Sequence, residues 1–139
     1  MKKILLFLAS VIIVLSCVLT ACDNNTKPVE KDVIETADVT KLGEGEKKFI
    51  FSVITAEGEE SVFEISTDKE TVGDALSEHK LIDGEEGQYG LYVKTVNSVT
   101  YDFNKGGKYW AFYINGEYAT SGVDKTAITE GDTYMFKAE

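Results

Sequence analysis

The sequence predicts an α+β domain, with one short helix laid across a mixed or antiparallel sheet. Three observations carry that expectation. Tyr109-Trp110-Ala111-Phe112-Tyr113-Ile114 is dominated by aromatic and β-branched residues, the composition of a half-buried strand. Asn115-Gly116 follows directly and supplies the two positive φ values of a type I′ hairpin turn. Only the stretch from Thr71 to Lys80 carries a sustained 3.6-residue apolar period, so helix is scarce and strand abundant.

Taken in order, the chain begins with a segment that reads as targeting rather than fold. Lys2-Lys3 is a short basic region, residues 4–19 are almost continuously apolar, and Leu19-Thr20-Ala21-Cys22 matches a bacterial lipobox. The apolar run stops at small residues and a cysteine, not at a basic stop-transfer flank, so a lipoprotein signal over residues 1–21 outweighs a spanning helix. Cys22 is the expected lipidated N-terminus. Val14-Leu15-Ser16-Cys17 is a poorer match, because a bulky Leu15 sits where smaller residues are usual.

Cleavage before Cys22 removes Cys17, which leaves no cysteine pair and hence no disulfide framework. It also removes Lys2 and Lys3, so the formal charge moves from −10 to −12. That balance excludes nucleic acid as a partner and excludes docking on anionic headgroups by charge. Membrane attachment then rests on the lipid, and two or more acyl chains hold firmly where one does not. The basic residues are all lysine, which points to an AT-rich genome and a Gram-positive envelope, with the domain on the extracellular face.

Residues 22–48 are polar, contain Pro28, and have apolar residues too sparse for a stripe; they read as a tether. A short strand around residues 33–39, added to a sheet edge, is the alternative there. Phe49, Phe51 and Val53 then alternate as a strand, and Val62, Phe63 and Ile65 return as its hairpin partner across a turn at Ala56-Glu57-Gly58-Glu59. Thr71-Val72-Gly73-Asp74 has capping-box form and opens the helix, whose apolar face is Val72, Ala75, Leu76 and His79. Asp83-Gly84-Glu85-Glu86-Gly87 reads as an acidic loop and residues 91–96 as a strand. Asn97-Ser98 reads as a turn, Val99-Thr100-Tyr101 as a second strand, and Asn104-Lys105-Gly106-Gly107 as a loop. Ile128-Thr129-Glu130-Gly131-Asp132 is a turn before a last strand at Tyr134-Met135-Phe136.

Several of these pieces together resemble a family. Thr71-Val72-Gly73-Asp74-Ala75-Leu76, Tyr89-Gly90-Leu91-Tyr92-Val93, the aromatic block with Asn115-Gly116, Ser121-Gly122-Val123 and Ile128-Thr129-Glu130-Gly131-Asp132 are the matching stretches. They are similar to a bacterial domain-of-unknown-function family that itself resembles the C-terminal β-domain of transcobalamin and intrinsic factor. The resemblance covers roughly residues 49–139. It implies a β-grasp-like ligand-binding domain and membership among bacterial surface lipoproteins. In the vitamin carriers that domain closes over cobalamin held by an α-helical barrel, and this chain has no room for a barrel. A ligand of this kind, cobalamin or another corrinoid, would therefore be presented to a second protein such as a transporter or a separate binding protein.

The remaining chemistry is thin. His79 is the only histidine and has neither a cysteine nor a second histidine for a metal site. No Gly-x-Ser-x-Gly elbow occurs, and no acid-base pair stands out among 24 acids, so no enzyme and no cofactor are expected. The Asp83 to Glu86 acids lack the spacing of a Ca²⁺ loop. What stands out is tyrosine: all 7 lie after residue 88. The hairpin sorts Trp110, Phe112 and Ile114 to one face, read as core, and Tyr109, Ala111, Tyr113 and Tyr118 to the other. Tyr109, Tyr113, Tyr118, Tyr92 and Trp110 are the candidate ligand-binding residues, since tyrosine offers a flat apolar body with a polar tip. Two function classes follow. One is a surface lipoprotein that binds a soluble ligand and passes it to an uptake system. The other is a cell-surface protein-interaction module with no small-molecule ligand.

Overall fold

Alternation of apolar and polar residues builds the main sheet. In β2 (Lys47–Ile54) and β3 (Glu60–Thr67) the residues Phe49, Phe51, Val53, Phe63 and Ile65 are buried and their immediate neighbours are more open, Val62 excepted. The register pairs Phe51 with Phe63 and Phe49 with Ile65, so all of them share one face. The computed structural model describes residues 38–139. The signal segment, Cys22, Cys17 and the tether up to residue 37 lie outside the described residues.

The main sheet has six strands in the order β1 (Val39–Leu42), β3, β2, β9 (Thr133–Ala138), β7 (Trp110–Ile114) and β8 (Glu117–Tyr118). β9 (Thr133–Ala138) runs parallel to β2 on one side and antiparallel to β7 (Trp110–Ile114) on the other. β7 turns through Asn115 (φ 53°) and Gly116 (φ 81°) into β8 (Glu117–Tyr118), with Tyr113 opposite Tyr118 and Ile114 opposite Glu117. That is the expected type I′ hairpin in the expected register. The Asn115 side chain adds a tie: its Oδ1 accepts from the Thr133 N–H at 2.9 Å and its Nδ2 donates to Asp132 at 2.9 Å.

A second layer covers the buried face of this sheet. The helix α1 (Val72–Glu78) is capped by the Thr71 hydroxyl, which accepts from the Asp74 N–H at 3.1 Å, and it buries Val72, Ala75 and Leu76. Beside it lies a three-stranded sheet of β4 (Ile82–Gly87), β5 (Gly90–Val96) and β6 (Val99–Thr100). Ile82, Val93 and Val96 from that sheet join one core with Leu76, Phe51, Phe112, Tyr134 and Phe136. The α+β expectation holds in this form, with Trp110 and Phe112 on the core face and Tyr109 and Tyr113 on the other.

Three local readings are corrected. The acidic stretch from Asp83 to Gly87 is not a loop but strand β4, paired antiparallel with β5 and kinked by a bulge at Asp83/Gly84. Gly84 is needed there, because a Cβ would stand 2.2 Å from the Tyr92 carbonyl oxygen. Asn104 to Gly106 belongs to a one-turn helix, α2 (Phe103–Gly106), capped by Asp102. Part of the presumed tether is β1 (Val39–Leu42), an edge strand parallel to β3. Among the described residues no helix is long and apolar enough to cross a membrane.

Candidate functional site

The site arises where the β7–β8 hairpin splays apart. β8 ends after two residues, and the last rung is the Ala119 N–H donating to the Phe112 carbonyl at 2.9 Å. The chain then leaves β7 so that the 3-10 turn Val123–Lys125 can dock on α1. Gly73 permits the docking, since a Cβ there would lie 2.7 Å from the Asp124 Cα. Between β7, the departing segment 119–122 and the β4–β5 hairpin lies a cleft of about 850 Å³.

Four of the five nominated residues line this cleft: Tyr92, Tyr109, Trp110 and Tyr118. Tyr92 and Tyr118 are the more open, at 44% and 58% exposure. Trp110 is mostly buried and serves wall and core together. Its ring lies 4.9 Å from that of Tyr101 and its Nε1–H donates to the Val99 carbonyl at 3.2 Å. Tyr113, the fifth, is not among the lining residues. Its ring stands edge-on to Tyr118 at 5.4 Å, and its hydroxyl donates to the Glu139 carboxylate.

The phenols on this edge are coupled. Tyr109 donates to the second Glu139 oxygen at 3.3 Å. Its phenol is pushed up to about 12, chiefly by the neighbouring Tyr118 phenol, then by burial and by Glu139. The Tyr113 phenol is raised as well, first by its bond to Glu139. Both are held neutral and proton-donating over the whole physiological range.

Sequence reasoning missed other residues of the site. Tyr89 stands at the tip of the β4–β5 hairpin, 85% exposed, on the rim of the cleft. Asp124 fixes the cleft mouth. Its carboxylate accepts from the Leu91 N–H at 3.1 Å and pairs with Lys125 at 3.2 Å. Gly90 and Gly122 make way for it, since a Cβ on either would come within 2.6 Å of Asp124 Oδ1. Tyr89-Gly90 and Ser121-Gly122 stood in the sequence only among the stretches that carry the family resemblance, and nothing in either names Asp124 as their common partner. His79 caps the C-terminus of α1, away from the cleft, and its Nε2 is buried beside Gly43 without a hydrogen-bond partner. Among the described residues no group of three or more His, Cys, Asp or Glu side chains is arranged to hold a metal ion.

The cleft thus joins aromatic walls to a rim of hydroxyls and one lysine. Such a surface packs on a flat apolar body while its polar tips meet the body's edges.

Comparison with known proteins places this architecture. A crystal structure from Ruminococcus gnavus ATCC 29149, whose description carries a provisional metal-binding label, is 34% identical, with a TM-score of 0.64. The match covers 68% of this chain and 97% of that one. Haptocorrin in complex with Cbi shares the fold at 15% identity and a TM-score of 0.56; the match covers 67% of this chain and 25% of haptocorrin. No curated protein matches the chain. Residues 69–139, half of the chain, match the family model described as a domain of unknown function, DUF4430, and the chain belongs to that family.

Proposed function

We propose that this chain is a lipid-anchored extracellular lipoprotein whose β-grasp-like domain binds a soluble ligand in the cleft between β7 and the β4–β5 hairpin. Cobalamin or a related corrinoid is the ligand class that fits this reading best, handed on to an uptake system. The observation that carries the reading is the cleft itself: about 850 Å³, walled by Tyr92, Tyr109, Trp110 and Tyr118. Pockets of roughly 300–1,000 Å³ with apolar walls and a few polar groups are the usual small-ligand sites. Haptocorrin, which shares the fold, is itself described with Cbi bound, and this supports the corrinoid assignment. The cleft is open on one side, so a corrin would keep a face free for a receiving protein.

Titration with cobalamin and cobinamide, followed by Trp110 fluorescence and corrin absorbance, tests the proposal. Micromolar binding is expected, weakened at least tenfold by Tyr92→Ser with Tyr118→Ser. Tyr113→Ser should leave it unchanged, because Tyr113 is not part of the cleft wall. Absence of binding near millimolar corrinoid rejects the corrinoid assignment.

A further inference from the structure

The cleft has a backbone side as well as a side-chain side. Rungs between β7 and β9 fall on odd-numbered residues of β7: Tyr109 and Glu139 exchange bonds at 2.9 and 3.0 Å, and Asn115 N–H donates to Thr133 at 2.8 Å. The alternation of an antiparallel ladder then turns the N–H and C=O of Trp110 and Phe112 toward the opposite edge. On that edge the Phe112 carbonyl accepts from Ala119. The Trp110 N–H, the Trp110 C=O and the Phe112 N–H have no protein partner among the described residues.

The residues that carry these three groups, Trp110 and Phe112, both line the cleft. Backbone groups in a mostly buried setting are almost always paired, and a row of them along a strand edge is a template for another strand. In a hairpin that continued past Ala119, Thr120 and Ser121 would occupy the place. They are instead drawn away toward Val123 and α1, which leaves the cleft beside β7.

We propose that this vacated position accepts an extended peptide, which adds to β7 as an antiparallel strand. The donor–acceptor–donor order of Trp110 N–H, Trp110 C=O and Phe112 N–H matches the backbone of one or two extended residues. A peptide residue opposite Trp110 places its side chain on the core face, against Tyr92 and Val123, where an apolar or aromatic group fits. Three acids flank the cleft, Glu86 beside Gly87, Glu117 beside Tyr118 and Glu139 bonded to Tyr109, against Lys108 beside Tyr109 and Lys125 on the rim, the latter already paired with Asp124. With a chain charge of −10, the fitting partner is an apolar-centred segment with basic flanks. The inference rests on β7's backbone rather than on the corrinoid reading.

A capped heptapeptide with a central Val-Phe-Val and two lysines on each side is a direct probe, added to the ¹⁵N-labelled full chain. Hydrogen exchange at the Trp110 and Phe112 amides should slow at least tenfold on binding. N-methylation of the central residue, which deletes a backbone donor and keeps every side chain, should weaken binding at least tenfold. No binding at millimolar peptide overturns the proposal. Binding that leaves both amides unprotected, or that survives N-methylation, overturns it too and marks mere attraction of lysines to an acidic surface. Corrinoid titration on the same sample reads the other proposal separately, by absorbance, so either can fail while the other stands.

Discussion

Asp124 accepts a hydrogen bond from the Leu91 backbone N–H at 3.1 Å and so ties the 3-10 turn to the first residues of β5. Residues on both sides of this bond line the cleft, so it sets the width of the mouth. Asp124→Ala should destabilise the domain by about 1–2 kcal/mol, since a backbone donor loses a charged acceptor. Asp124→Asn should cost less, because an acceptor oxygen remains. Gly90→Ala should act like Asp124→Ala or worse, given its φ of +112° and the 2.6 Å approach to Asp124. Urea melts of the three variants check the order.

Gly116→Val tests the hairpin in isolation. No atom lies within 4 Å of a Cβ built at Gly116, so packing is not at issue and only the φ of +81° is. A β-branched residue resists that conformation, and a loss of about 1 kcal/mol or more in stability is expected. An unchanged melting temperature would be incompatible with the turn described here.

Trp110→Ala should be far more severe. The side chain is 6% exposed and bonds to the Val99 carbonyl, so its removal costs about 3–5 kcal/mol and leaves an orphaned acceptor. Thermal unfolding followed by circular dichroism measures this. Tyr113→Ser, half-buried on the other face, should cost about 1 kcal/mol through the lost Tyr113/Tyr118 pair.

The tyrosine edge predicts a distinctive alkaline titration. Tyr109 titrates near 12 in the folded chain, above its unfolded value of about 10. A raised pKa contributes stability that is complete below pH 10 and is lost as pH rises from about 10 through 12. Absorbance of tyrosinate should therefore show a late-titrating phenol, and Tyr118→Phe should bring it down. A titration of the wild type with every phenol ionised by pH 11 would contradict the geometry.

Lipidation has its own test. Cys22→Ser should release the protein from membranes, whereas Cys17→Ser should not, if the signal ends where the lipobox places it. Fractionation of cells expressing each variant distinguishes them.

Local features were legible in the sequence because each is fixed by residues close together. Asn115-Gly116 determined a turn and its register, and Thr71-Val72-Gly73-Asp74 determined a helix start. Strand β4 was hidden because Gly84, Gly87 and three acids carry no apolar alternation; its identity comes from pairing with β5. β1 was partly legible: a sheet-edge strand stood as the alternative to a tether at residues 33–39, but the strand that forms is Val39–Leu42, whose partner β3 lies about twenty residues downstream. The candidate site was half legible. Aromatic residues announced themselves, but the cleft depends on segment 119–125 leaving β7, and that departure follows from Gly73 and Asp124 meeting in space.

The position of β9 has a consequence for the order of events in folding. It comes last of the described strands yet sits between β2 and β7. Until it emerges, the β2–β3 hairpin and the β7–β8 hairpin have no common neighbour, and Phe51 and Phe112 cannot share Phe136. Stepwise folding from the N-terminus is thereby blocked: a chain ending before Thr133 holds the β1-β3-β2 and β7-β8 halves of the main sheet with no strand between them. Closure of the domain is a single late event. A series of C-terminally truncated chains should gain protease resistance abruptly once β9 is included, rather than in steps.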